Sequence, residues 1–153
     1  MVPGEFVLRI ETPVAPDRAW ARVWDLGRHS EVIPLTTVAL TGGATTLGPG
    51  AEFCARTELG PVGVDDTMRV LAWEPPTTAG GCAVVAKTGS TIGGRVEVTF
   101  SAAHDGGTRI TWRQQVELPW LPSPLSGLEG AAARAVALGY RMVLRRLLVM
   151  AQP

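Results

Sequence analysis

The chain has 153 residues, the length of one domain able to bury a sizeable core. Hydrophobic residues make up 46% and charged ones 18%, which excludes wholesale disorder. Fourteen basic residues balance fourteen acidic ones, so no surplus positive field exists to hold a phosphate backbone, and nucleic acid is not an expected partner.

Glu5 to Glu11 alternates, with Phe6, Leu8 and Ile10 on one face and Glu5, Arg9 and Glu11 on the other. This predicts a half-buried strand, and its charges leave no apolar core for a signal peptide. Pro16 and Asp17 then open a short helix whose apolar face is Trp20, Val23 and Trp24. Gly27 is expected to end that helix, and His29 to Ile33 reads as a second helical turn stopped by Pro34.

From Leu35 onward the period changes to two. The expected strands are Thr36–Thr41, Ala51–Leu59, Val62–Trp73, Ala83–Thr88, Gly94–Ala103 and Thr108–Leu118. Turn signals separate them: Gly42-Gly43, Gly48-Pro49-Gly50, Gly60-Pro61, Pro75-Pro76, Gly80-Gly81 and His104-Asp105-Gly106-Gly107. Short connections imply antiparallel neighbours, so residues 35–118 read as a six-stranded meander.

The longest uncharged stretch, Val32 to Ala51, holds two prolines, four glycines and five threonines and cannot span a bilayer as one helix. No integral membrane association and a cytoplasmic setting are expected. Cys54 and Cys82 fall in separate strands; with one strand between them they stand about 9–10 Å apart, beyond the roughly 7 Å Cα limit of a disulfide. Two reduced, mostly buried thiols are expected.

The last element is a long helix from about Leu125 to Met150. Leu125, Leu128, Ala132, Val136, Gly139, Val143, Leu147 and Met150 fall in one stripe, with Arg134, Arg141 and Arg145 opposite. A sheet and one long helix must each bury a face, so the class is α+β with the helix across the sheet.

Three segments carry a resemblance: Ile10-Glu11-Thr12-Pro13-Val14-Ala15-Pro16-Asp17-Arg18-Ala19-Trp20, Asp25-Leu26-Gly27-Arg28-His29-Ser30-Glu31-Val32-Ile33-Pro34, and Leu47-Gly48-Pro49-Gly50-Ala51-Glu52-Phe53. With the order strand, two short helices, six strands and long helix, the chain resembles the helix-grip superfamily, also called SRPBCC or START-like. That superfamily includes polyketide cyclase/dehydrase-like and lipid-transport-like proteins. The resemblance implies one helix-grip domain over residues 1–153, with a seven-stranded curved antiparallel sheet around the C-terminal helix and an apolar cavity between them. It implies a small hydrophobic or lipid-like ligand and no cofactor, with polyketide cyclase/dehydratase chemistry in the same cavity as the alternative.

The small residues of the final helix either approach the sheet closely, reaching the usual packing density of about 0.75, or leave a hollow. If hollow, the expected ligand contacts are Asp66, Met68, Val98, Phe100, Trp112 and Gln114 from the sheet and Ala132, Val136, Gly139 and Val143 from the helix. Strand parity sets Asp66 with Val64, Met68 and Val70, and Gln114 with Ile110, Trp112 and Val116. A polar group in a dry pocket must find a partner or cost several kcal/mol. Either both orient a polar group of a ligand, or they satisfy backbone groups, or a β-bulge turns Asp66 outward.

The candidates for acid/base chemistry are Asp66, Gln114, His29 and Tyr140 (the sole tyrosine, at the edge of the stripe). His29 lies near the expected cavity mouth, where the competing role is capping or surface exposure; His104 sits in a turn and faces solvent. Two histidines and two cysteines, all far apart, offer no metal-ligand spacing. Gly89 to Val96 has the glycines of a phosphate loop but Arg95 and Val96 where Lys and a hydroxyl are needed, and it opens a strand. Leu118-Pro119-Trp120-Leu121-Pro122-Ser123-Pro124-Leu125 is stiff and non-helical. Its Trp120 and Leu121 form a lid over the pocket, form an apolar patch for a binding partner or a membrane surface, or fold back over the end of the core.

Overall fold

The computed structural model describes residues 4–149. Strand β1 (Glu5–Thr12) buries Phe6, Leu8 and Ile10, the apolar half of its alternation. Helix α1 (Pro16–Val23) starts on a proline, whose missing N–H is no loss in a first turn, and closes at Trp24. Asp25 then caps α2 (Leu26–Val32), its side chain accepting the Arg28 backbone N–H at 3.1 Å. Gly27 therefore lies inside α2 rather than ending α1, because the aspartate cap sets the break two residues earlier.

Six strands follow: β2 (Thr36–Thr41), β3 (Glu52–Leu59), β4 (Val62–Thr77), β5 (Gly80–Thr88), β6 (Gly93–Ala102) and β7 (Thr108–Gln115). They form the expected meander, and β1 adds beside β7 to give the order β1-β7-β6-β5-β4-β3-β2, antiparallel throughout. The sheet is curved, and its concave face carries the core.

Strand β4 departs from expectation. It runs 16 residues, straight through Pro75 and Pro76, and the turn moves to Thr78 and Ala79. Its register against β5 shifts between Glu74 and Thr77, so the prolines occupy a stretch where no regular ladder N–H is required. The strands approach closely there: a Cβ on Gly81 would stand 2.8 Å from the Pro76 nitrogen. A second shift, between Val70 and Ala72, leaves Leu71 as an extra residue, half exposed. Before it the even-numbered residues face inward; after it Trp73 does, packing on Trp20 and Trp24 with ring centroids 4.7 and 5.2 Å away.

Helix α3 (Leu128–Val149) begins after a separate 3-10 turn, Ser123–Leu125. Its buried residues are Ala133, Leu144, Leu147 and Leu148, while Leu128 and Gly139 are exposed. The packed face is thus turned by one residue, about 100°, from the expected stripe. The cause is that α3 packs against β1, α1 and α2, while the row through Ala132 and Val136 looks into open space. Met150, also assigned to the stripe, lies outside the described residues.

This placement separates two leucines that an amphipathic reading treats alike. Leu144→Ala, at a fully buried site, should cost about 3 kcal/mol, whereas Leu138→Ala, at a site 74% exposed, should stay within about 0.5 kcal/mol. Urea unfolding of the two variants checks this.

Candidate functional site

The sheet and α3 enclose a cavity of about 310 Å³, at the small end of ligand pockets. Strands line it with every second residue: Thr36 and Val38 from β2, Phe53, Ala55 and Thr57 from β3, Val64, Asp66 and Met68 from β4, Val85 and Lys87 from β5. Across the sheet, Trp112, Gln114 and Val116 continue the pattern. Helix α3 contributes Ala132, Val136 and Tyr140, four residues apart and so in one row, and α1 and α2 add Trp24, Leu26, His29 and Ile33.

Of the residues expected at the ligand, Asp66, Met68, Trp112, Gln114, Ala132 and Val136 line this space. Val98 and Phe100 do not. They lie deeper in the packed core, Phe100 with its ring 5.0 Å from that of Trp20. Gly139 and Val143 fall outside the lining because α3 presents the row through Tyr140 instead.

The apolar wall is interrupted by a few polar groups. Asp66 faces inward because the bulge comes five residues later, at Leu71. One carboxylate oxygen, Oδ2, is ion-paired with Nζ of Lys87, whose side chain is only 6% exposed. The other, Oδ1, is buried with no hydrogen-bond partner. Lys87 is the single lysine of the chain, and sequence reading missed it. Its signal is the i+2 spacing after Ala83 and Val85, hidden because both faces of that strand are apolar up to Ala86.

On the other side of the cavity, His29 is buried rather than on the surface. Its Nδ1 lies 2.9 Å from the Asp25 carbonyl oxygen and its Nε2 lies 3.1 Å from the Tyr140 hydroxyl. A carbonyl only accepts, so Nδ1 carries the proton and Nε2 accepts from Tyr140. Burial lowers the His29 pKa, against the opposing pull of the Asp25 carbonyl and charge. Burial, with the Asp66 charge as a smaller cause, pushes the Tyr140 hydroxyl up, so it stays protonated.

Tyr140 packs on Trp112 with centroids 4.4 Å apart, and Trp112 neighbours Trp24 at 6.1 Å. The Trp112 indole N–H donates to Gln114 Oε1 at 3.0 Å, which fixes the amide with its nitrogen as the remaining donor. Thr36 and Thr57 bond to each other through their hydroxyls at 2.8 Å. Trp24 Nε1 is buried without a partner.

The proline-rich segment lies beside this space: Leu118 and Ile92 line it, while Trp120 is 63% exposed and Leu121 half-buried. Trp120 does not fold back over the core. Its indole N–H donates to the Thr91 carbonyl at 3.0 Å, pinning the segment to the β5–β6 turn. Cys54 on β3 and Cys82 on β5 are free thiols with β4 between them, half-buried rather than buried. No helix among the described residues is long and apolar enough to cross a membrane.

Two consequences are measurable. Removing one partner of a buried ion pair strands the other charge, so Lys87→Ala should cost about 3 kcal/mol. The double variant Asp66→Leu/Lys87→Met should fall within about 1 kcal/mol of the parent by urea unfolding. His29 has a folded pKa below its ordinary value near 6.5. The unfolded chain therefore binds more protons in that window, and stability is full above about pH 6.5 and falls as pH drops toward the lowered value. The melting temperature should decline as pH drops below about 6.5, and less so in His29→Gln.

No curated protein sequence matches the chain. Solved structures match it at low identity. TTHA0849 from Thermus thermophilus is 14% identical with a TM-score of 0.66, over 97% of this chain and 99% of that one. The Zhui aromatase/cyclase from Streptomyces sp. R1128 is 13% identical with a TM-score of 0.65, over 94% and 90%. The di-domain ARO/CYC StfQ of the steffimycin biosynthetic pathway reaches 0.69 at 13% identity, over 94% of this chain and 49% of that one. At such identities these likenesses speak for the fold alone. The family model described as polyketide cyclase / dehydrase and lipid transport matches residues 3–148, and the chain belongs to that family.

Proposed function

We propose that this protein binds a small hydrophobic or lipid-like molecule in the cavity between the curved sheet and α3, without chemical conversion. The carrying observation is the cavity itself, walled by alternate strand residues and by the short side chains of Ala132 and Val136. Cores ordinarily close such space, so its persistence here argues for an occupant. In this reading the setting is cytoplasmic and residues 1–153 act as one binding domain.

A second reading, a polyketide cyclase or dehydratase, is favoured by one observation: His29 and Tyr140 form a hydrogen-bonded pair at the cavity wall. The same pair weighs against it. Tyr140 holds its proton and gives its hydrogen bond to His29, so neither group is free to take a proton from a substrate.

Filling the space tests the binding reading. Ala132→Phe/Val136→Phe should keep the far-UV circular dichroism and the melting temperature while weakening binding of apolar probes at least about tenfold, by calorimetry. Unchanged binding would remove the cavity as the site. Turnover of a polyketide substrate that is lost in Tyr140→Phe would favour the enzyme instead.

A further inference from the structure

Helix α3 has a second apolar face, turned away from the cavity. Leu128, Ala131, Ala135, Leu138, Met142 and Val149 are all exposed, and their steps of three, four and seven residues hold them in one outward stripe. The packed face, with Ala133, Leu144, Leu147 and Leu148, lies on the other side of the helix. Leu138 is 74% exposed and Val149 79%. The outward face of a surface helix is ordinarily polar, so an apolar stripe along 22 residues, about 33 Å, calls for a covering surface.

The charges bordering the stripe have one sign. Arg134, Arg141 and Arg145 run along one border, and Arg146 stands on the other. None of the four is ion-paired among the described residues, whereas Arg56, Arg69, Arg109 and Arg113 on the outer side of the sheet each hold a carboxylate. The single acid of α3, Glu129, accepts the Leu118 backbone N–H. Glu11 borders the groove between β1 and α3 with Arg141, Arg145 and Arg146, but it is paired with Arg109. A second copy of the chain would bring only more arginine. In parallel each arginine meets its counterpart; antiparallel about Leu138, Arg134 of one copy comes beside Arg141 of the other. Apolar side chains between guanidinium groups suit instead a helix lying flat in an interface, with acyl chains beneath it and phosphates at its level.

We propose that the outward face of α3 docks the protein on an anionic phospholipid membrane, with Leu138, Met142 and Val149 dipping among the acyl chains and the four arginines meeting lipid phosphates. The contact is peripheral: α3 lies in the plane of the surface, being neither long nor apolar enough to cross it. It uses the face opposite the cavity, so it stands independently of what the cavity holds.

The test is co-sedimentation with vesicles of phosphatidylcholine alone and of phosphatidylcholine mixed equally with phosphatidylglycerol, in low salt and in about 0.5 M NaCl. The protein should bind the mixed vesicles at least about tenfold more tightly than the neutral ones, and high salt should remove the difference. Arg134→Gln/Arg141→Gln/Arg145→Gln and Leu138→Ser/Met142→Ser should each weaken that binding at least about tenfold. Both should keep the melting temperature close to the parent's, since none of these side chains belongs to the buried face of α3. Should either fail to fold, Arg145→Gln alone and Leu138→Ser alone should each weaken binding about threefold. No binding to the mixed vesicles, equal binding to both kinds, or binding unchanged in either set of variants overturns the proposal. So does a dimer, seen by light scattering, that Leu138→Ser/Met142→Ser converts to monomer, which assigns the stripe to a second copy of the chain.

Discussion

Leu71 is the residue on which the interior is organised. As the extra residue between the Val70 and Ala72 pairings, it reverses which side chains of β4 point inward. The half before it sends Val64, Asp66 and Met68 to the cavity; the half after it sends Trp73 under α1. One strand thus serves a hollow at one end and a packed aromatic cluster at the other. Without the extra residue, position 73 would share the parity of Asp65 and Thr67 and turn Trp73 to the convex face. The rings of Trp20, Trp24, Trp73 and Phe100 fill one end of the concave face, and α3 closes over the other without filling it.

The hollow is sparing with charge. Its one ion pair joins Lys87 to a single oxygen of Asp66, its histidine and tyrosine bond to one another, and its threonine hydroxyls meet across β2 and β3. Such a wall suits recognition by shape and by one or two hydrogen bonds. His29 and Tyr140 are bonded to each other, with the second ring nitrogen of His29 on the Asp25 carbonyl.

Much of this was legible in the residues. The strands of the meander follow from alternation and glycine-marked turns, and Asp66 and Gln114 were found by parity because apolar neighbours flank each of them. Three features were not legible, each for a physical reason. The bulge sits in Val70-Leu71-Ala72-Trp73, where every residue is apolar and a slip of one leaves no mark. The α3 stripe blended a packed face with a face bordering empty space, since small apolar residues suit both; only tertiary contacts separate Ala133 from Ala132. The bond from His29 to Tyr140 joins positions 111 residues apart, and no local pattern carries such a pairing.

The tether from Trp120 to Thr91 has an optical consequence. Trp20, Trp24 and Trp112 are buried, Trp73 is half-buried, and Trp120 alone stands in solvent. The indoles therefore divide into an interior set, of which Trp24 and Trp112 border the hollow, and a single outer chromophore on the proline-rich segment. Collisional quenchers such as iodide reach Trp120 most readily, so guest entry beside Trp24 and Trp112 and motion of the segment can be followed as separate fluorescence signals in one unlabelled sample.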